Sequence, residues 1–146
     1  MNIDAIIDDF AVLDAWDDRY RYIMELGRDL PPFPDAERTD ANRVRGCASQ
    51  VWLIHDIEQR PDGHTVLRFY GDSDALIVKG LVAITLALFD ARTPKDVLAA
   101  DADEVFGKLD LKAHLSAQRA NGLRALVERI RHVATAEMQA AEATRH

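Results

Sequence analysis

Apolar residues at Ile3, Ile6, Ile7, Phe10 and Leu13 share one face at helical spacing and predict a first helix over 3–13. Asp14 then fits the N-cap of a second helix, with Asp17 favoured by the dipole and Trp16, Tyr20, Ile23 and Gly27 as its buried stripe. The pattern breaks at Leu30-Pro31-Pro32-Phe33-Pro34, where three prolines forbid helix, and stays polar to Arg45. This stretch reads as a long surface loop, and such loops are usually functional or mobile. Two alternating runs, 51–59 and 64–70, predict strands joined by a turn at Pro61-Asp62-Gly63. Val51, Leu53 and Ile57 are expected on one face of the first strand, with Leu67 and Phe69 matching them on the second. A third short strand is weakly suggested at 42–45.

The most apolar run, from Ala75 to about Ala91 behind an Asp72-Ser73-Asp74 cap, predicts a central helix, with Asp74 the N-cap candidate. Thr93-Pro94 opens a short helix, 102–108 is another, and Ser116 caps a last long one. Its stripe is Leu123, Leu126, Val127, Ile130 and Val133, and the tail after about Ala136 is expected to fray. The expectation is α+β: a small antiparallel sheet of two to three strands packed against helices. It is one domain over 1–146, with a core of about 3–135.

Charge narrows the partners. Asp and Glu total 25 against 18 Lys and Arg, a net charge of −7. That disfavours nucleic acid and anionic membrane surfaces as partners. The run from Ala75 to Phe89 carries Lys79 and is shorter than the roughly 20 residues a spanning helix needs. Met1-Asn2-Ile3-Asp4 lacks the charged and apolar regions of a signal peptide, so a cytoplasmic location is expected. One cysteine excludes an internal disulfide and any multi-thiolate metal or iron–sulfur site in a single chain. The five histidines show no helical metal-pair spacing, so neither metal nor cofactor is expected on this chain.

The candidate chemistry lies in Asn42-Arg43-Val44-Arg45-Gly46-Cys47-Ala48-Ser49-Gln50. By composition alone, Cys47 is a small packed hydrophobe. Three features set a reactive thiol beside that reading: the neighbouring Gly46, the proline-rich approach, and the charges of Arg43 and Arg45, which favour thiolate. Arg119, in the first turn of the last helix, opposes the helix dipole and is a candidate to position the Cys47 loop or touch a partner. Gly122 inside that helix costs about 1 kcal/mol relative to Ala, which close backbone packing would explain. Ser49, Gln50 and Trp52 read as loop supports, and Arg43, Arg45, Gly46 and Asp74 are further candidates for loop support or partner contact.

Arg45-Gly46-Cys47-Ala48-Ser49-Gln50-Val51-Trp52-Leu53 resembles the signature of the SufE family, a Gly-Cys pair followed by Ser-Gln-Val-Trp. Three more blocks follow in the family's order: Tyr22 to Gly27 with Leu30-Pro31, Gly71 to Ala75 with Ile77 to Leu81, and His114-Leu115-Ser116 with Arg119 and Gly122-Leu123. Ala48 and Arg45 depart from the commoner residues and remove no group the chemistry needs. The resemblance implies a fold related to IscU-type scaffold proteins. It implies that Cys47 accepts persulfide sulfur from a PLP-dependent cysteine desulfurase of SufS or CsdA type, stimulates it, and delivers to a SufBCD-type scaffold. The PLP belongs to the partner. Other readings stay open: CsdE-type delivery to another acceptor, an adaptor that carries no sulfur, and a hydrolase with Cys47 as nucleophile and His55 or His114 as base.

Overall fold

The computed structural model describes residues 2–144. Helix α1 spans Ile3–Val12 and α2 spans Trp16–Arg28; strands β1 and β2 span Val51–Gln59 and Thr65–Ser73. Helices α3 (Leu76–Phe89), α4 (Pro94–Ala99), α5 (Ala102–Lys108) and α6 (Ala117–Thr144) follow. The architecture is the α+β arrangement expected, with a two-stranded sheet.

Helix α1 starts at Asn2, whose side chain accepts the Asp4 N–H, and buries Ile3, Ile6 and Phe10. The cap of α2 is Ala15 rather than Asp14: its extended backbone presents the carbonyl that takes the first helical bond, from Arg19. The link between the two helices comes from Arg19 instead. Its guanidinium donates to the carbonyls of Leu13 (2.8 Å) and Phe10 (3.1 Å) at the end of α1, the latter shared with the Leu13 N–H. It also sits over the Phe10 and Trp16 rings.

The strands pair antiparallel from Val51↔Ser73 to Gln59↔Thr65. The turn places Gly63 at φ +87°, as Pro61-Asp62-Gly63 requires. Strand β2 continues three residues past Tyr70, so Gly71, Asp72 and Ser73 belong to the sheet and do not cap α3. The reason lies at Gly71, where a Cβ would meet Val82 Cγ1 at 2.7 Å; the missing side chain lets α3 lie against the strand. Ile57 departs from its expected face partners. Val51 and Leu53 are buried, but Ile57 is 51% exposed because the far half of β1 turns to solvent. The stretch 42–45 is a single bridge, Arg43↔Trp52, not a strand. A turn ending at Arg43 and the bend at Gly46 leave room for one bridged pair.

Helix α3 is buried from Gly80 to Leu86 and lies at the centre, as its apolar run predicts. It meets α2 backbone to backbone. A Cβ on Gly27 would lie 2.7 Å from the Gly80 nitrogen, and one on Gly80 would press into the Ile23 carbonyl. Gly80→Ala is therefore expected to destabilise despite the better helix former, near the top of the roughly 1–3 kcal/mol range for overpacking. Urea unfolding measures it; an unchanged midpoint would mean the helices separate freely.

Thr93 and Asp101 cap α4 and α5 through the N–H groups of Asp96 and Glu104. Ser116 accepts the Arg119 N–H at the start of α6, as predicted. Leu123, Leu126, Ile130 and Ala134 are its buried stripe. The tail does not fray at Ala136: α6 runs to Thr144. The apolar stripe does end there, but Ala, Glu, Met and Gln are strong helix formers and carry the helix onward. Glu137 also meets His55 at 3.5 Å. The proline-rich segment is less free than its composition suggests. Phe33 is buried, Asp35–Glu37 form a 3₁₀ turn, and Val44 is 2% exposed.

Candidate functional site

Cys47 sits on a short loop with a fixed base. The Val44 N–H donates to the Val51 carbonyl (2.8 Å), the Leu53 N–H donates to Asn42, and Val44 and Val51 are both buried. Only 45–50 lie between those roots. Gly46 turns the chain at φ +93°, a conformation side chains resist, while a Cβ there would reach Ala125.

The half-buried thiol rests on α6, and Cys47 Sγ donates to the Gly122 carbonyl at 3.5 Å. A Cβ on Gly122 would lie 3.2 Å from Sγ, so this glycine supplies the seat for the sulfur, the close packing anticipated for it. Beside Sγ opens a cavity of about 360 Å³. Val51, Val78, Leu81, Val82, Leu123 and Leu126 give it apolar walls, and Ser49, Ser116, Gln118 and Arg119 add polar groups.

Electrostatics at rest run opposite to the charge-based expectation. Burial pushes the Cys47 thiol up, and the attraction of Arg43 only partly offsets it. Arg45 is exposed. The resting group is a neutral thiol on a carbonyl, which the sequence could not reveal because burial depends on how the loop docks. Alkylation by iodoacetamide is accordingly expected to titrate with a midpoint above the ordinary thiol range of about 8.5. Full reactivity at neutral pH would contradict the resting geometry.

The other candidate residues fall into place around this loop. Asp74 caps no helix: the N-cap of α3 is Ala75. Its carboxylate instead accepts the Gln50 N–H (3.0 Å), while its own N–H donates to the Gln50 carbonyl (3.3 Å), closing the loop's outgoing end. Asp74 faces the loop because strand geometry runs to Ser73. Ser49 lines the cavity. Arg119 is exposed at the cavity, and among the described residues its guanidinium has no hydrogen-bond or ion-pair partner. His55 and His114 are elsewhere. His55 faces Glu137, and His114 stacks on Trp16 at 3.6 Å and 24°, with Asp110 at 3.7 Å. Neither lines the Cys47 cavity, so the hydrolase reading has neither of its two proposed bases at the thiol.

Sequence reasoning missed the Arg38–Asp72–Lys79 cluster and the share of Val78, Leu81 and Val82 in the cavity. The three apolar residues looked like ordinary core. The cluster carried one signal, an Asp in what proves to be a buried strand end.

Fold and site together define a class: a small α+β domain presenting one thiol on a short loop over an apolar cavity. The solution structure of a hypothetical protein from Thermus thermophilus has the same fold, with a TM-score of 0.73 at 19% identity over 94% of this chain and 96% of that one. The family model SufE, described as an Fe-S metabolism associated domain, matches residues 4–134, and the chain belongs to that family. An uncharacterised SufE-like protein of Rhizobium meliloti (strain 1021) is 51% identical over 95% of this chain and 99% of its own length. One from Rhizobium etli is 50% identical over 91% and 89%. Among the described residues no three His, Cys, Asp or Glu side chains are grouped to hold a metal, and no helix is long and apolar enough to cross a membrane.

Proposed function

We propose that the protein is a cytoplasmic sulfur acceptor that takes persulfide sulfur from a cysteine desulfurase onto Cys47, stimulates that enzyme, and passes the sulfur to a scaffold of the SufBCD type. The observation that carries this reading is the placement of the only cysteine on a short loop beside an apolar cavity. Membership of a family associated with iron–sulfur metabolism supports it.

The desulfurase holds the sulfane sulfur as a persulfide on its own cysteine. Cys47 loses its proton and its thiolate attacks the outer sulfur. A new S–S bond forms at Cys47, the S–S bond on the desulfurase breaks, and the desulfurase cysteine leaves as thiolate. No external oxidant or reductant enters. This chain needs no cofactor for the step; PLP acts on the partner.

The resting geometry sets two requirements. The thiol must leave Gly122 and regain water or a cation before it ionises readily, so docking draws the loop outward. Once loaded, the persulfide returns to the apolar walls, away from reductants. A single cysteine cannot discharge the cargo into an internal disulfide.

Intact-protein mass spectrometry tests this, after incubation with a cysteine desulfurase and cysteine without reductant. A gain of sulfur mass on the wild type, absent from Cys47→Ser, is expected. Binding and stimulation without any gain would favour an adaptor. Subsequent loss of the mass to a SufBCD-type scaffold, or to a different acceptor as in CsdE-type delivery, identifies the destination.

A further inference from the structure

Asp72 is 6% exposed, and its two carboxylate oxygens are divided between different parts of the chain. Arg38 Nε and Nη2 donate to Oδ2 at 3.0 and 2.7 Å, and Lys79 Nζ lies 3.4 Å from Oδ1. The remaining arm of Arg38 binds Asp35, and its guanidinium lies over the Phe33 ring at 5.6 Å. One carboxylate thus joins the proline-rich segment, the end of β2 and helix α3.

Those three pieces hold the Cys47 loop. The incoming segment passes from Arg38 through Asn42, which is tied to Glu37, to the root at Val44. Asp72 pairs with Trp52, which bridges Arg43, so the row Asp72–Trp52–Arg43 crosses the loop's base. Two residues beyond Asp72, Asp74 fastens Gln50. Lys79 stands on α3 between residues that wall the cavity, Val78 and Leu81.

We infer that Arg38, Asp72 and Lys79 form a clamp that positions Cys47, keeping its thiol seated on Gly122 by fixing both roots of the loop and the cavity wall to one buried carboxylate. Arg38 and Lys79 are positioning residues; neither lines the cavity. Their proposed purpose rests on the sulfur-acceptor reading, whereas their effect on thiol exposure does not.

The test is the alkylation rate of Cys47 in the isolated full chain at fixed pH, with circular dichroism and thermal unfolding recorded on each variant. Arg38→Met is expected to react about tenfold faster than wild type as the loop opens more often. Arg38→Lys is expected to fall between them, because an ammonium restores the charge without the two-pronged donor. Lys79→Met is expected to show a smaller rise. Val97→Ala, a core truncation on α4, controls for general loosening. If it accelerates alkylation as much as Arg38→Met at similar lost stability, the clamp is only structural and the inference falls. It falls equally if folded Arg38→Met reacts at the wild-type rate. Should Arg38→Met fail to fold, Lys79→Met decides: a rise supports the clamp and the wild-type rate overturns it. No desulfurase is present, so failure to accept sulfur would sink the acceptor reading alone, and unchanged alkylation the clamp alone.

Discussion

Replacing Gly122 with leucine is expected to expel Cys47 from its seat and raise its alkylation rate at neutral pH by on the order of 100-fold, with little loss of stability. A Cβ at 122 would already lie 3.2 Å from Sγ and 3.5 Å from Cα and Cβ of Cys47, so the longer chain must take the volume that the thiol now fills. The loop yields before the helix does. It is tied outside the sheet by the Asp74–Gln50 pair and the single sulfur contact, whereas α6 is anchored by Leu123, Leu126 and Ile130. A helix-interior glycine also carries a propensity penalty of about 1 kcal/mol that leucine removes. In sulfur transfer, the displaced loop would load readily and then lose its persulfide to reductant. Timed alkylation followed by mass spectrometry measures the first effect, and persulfide lifetime under a fixed thiol concentration the second. Wild-type protection in Gly122→Leu would mean that the sulfur is sheltered from another side.

Asp72→Asn is expected to lower stability by about 2–3 kcal/mol at neutral pH. The change keeps the shape and removes the charge, leaving Arg38 and Lys79 beside a neutral amide. Breaking a fully buried ion pair costs about 3–5 kcal/mol, and the figure is reduced here because both cations are about one-third exposed. The pH dependence has a definite sign. The Asp72 carboxyl is held below its usual range: burial acts against the charge, but the Arg38 bonds, the Ser73 amide and Lys79 together outweigh it. Its contribution is therefore complete above the unfolded value of about 3.9 and fades as pH falls through the lower folded one. The gap between wild type and variant should stay constant from pH 7 to about 5 and close in strong acid. Urea midpoints across that range measure it, and a gap widening on acidification would reverse the assignment.

The elements were largely legible in the sequence because their signals are local. The apolar run behind Ser73 could only be a buried helix, and Thr93-Pro94 and Ser116 mark helix starts by chemistry that needs no tertiary context. What stayed hidden depended on contacts between distant segments. Asp74 has the composition of a cap, and only the length of β2 turns it toward Gln50. Arg43 and Arg45 promise a reactive thiolate, yet burial against a carbonyl 75 residues away decides the resting state. Arg38 stood in a polar stretch with nothing to distinguish it from its neighbours, because its partner lies 34 residues downstream.

The crossing of α2 and α3 at Gly27 and Gly80 has a kinetic consequence. With backbones in contact there, α3 has no side-chain layer through which to retreat, so the cavity has one immovable wall. In amide exchange, the N–H groups of Leu81 and Val82 should be among the slowest in the chain, released only by global unfolding, while those of Ala48 and Ser49 exchange in local openings. The chamber thus joins one fixed wall to one short, locally opening segment, since Cys47, Ala48 and Ser49 of the stretch 45–50 also line it.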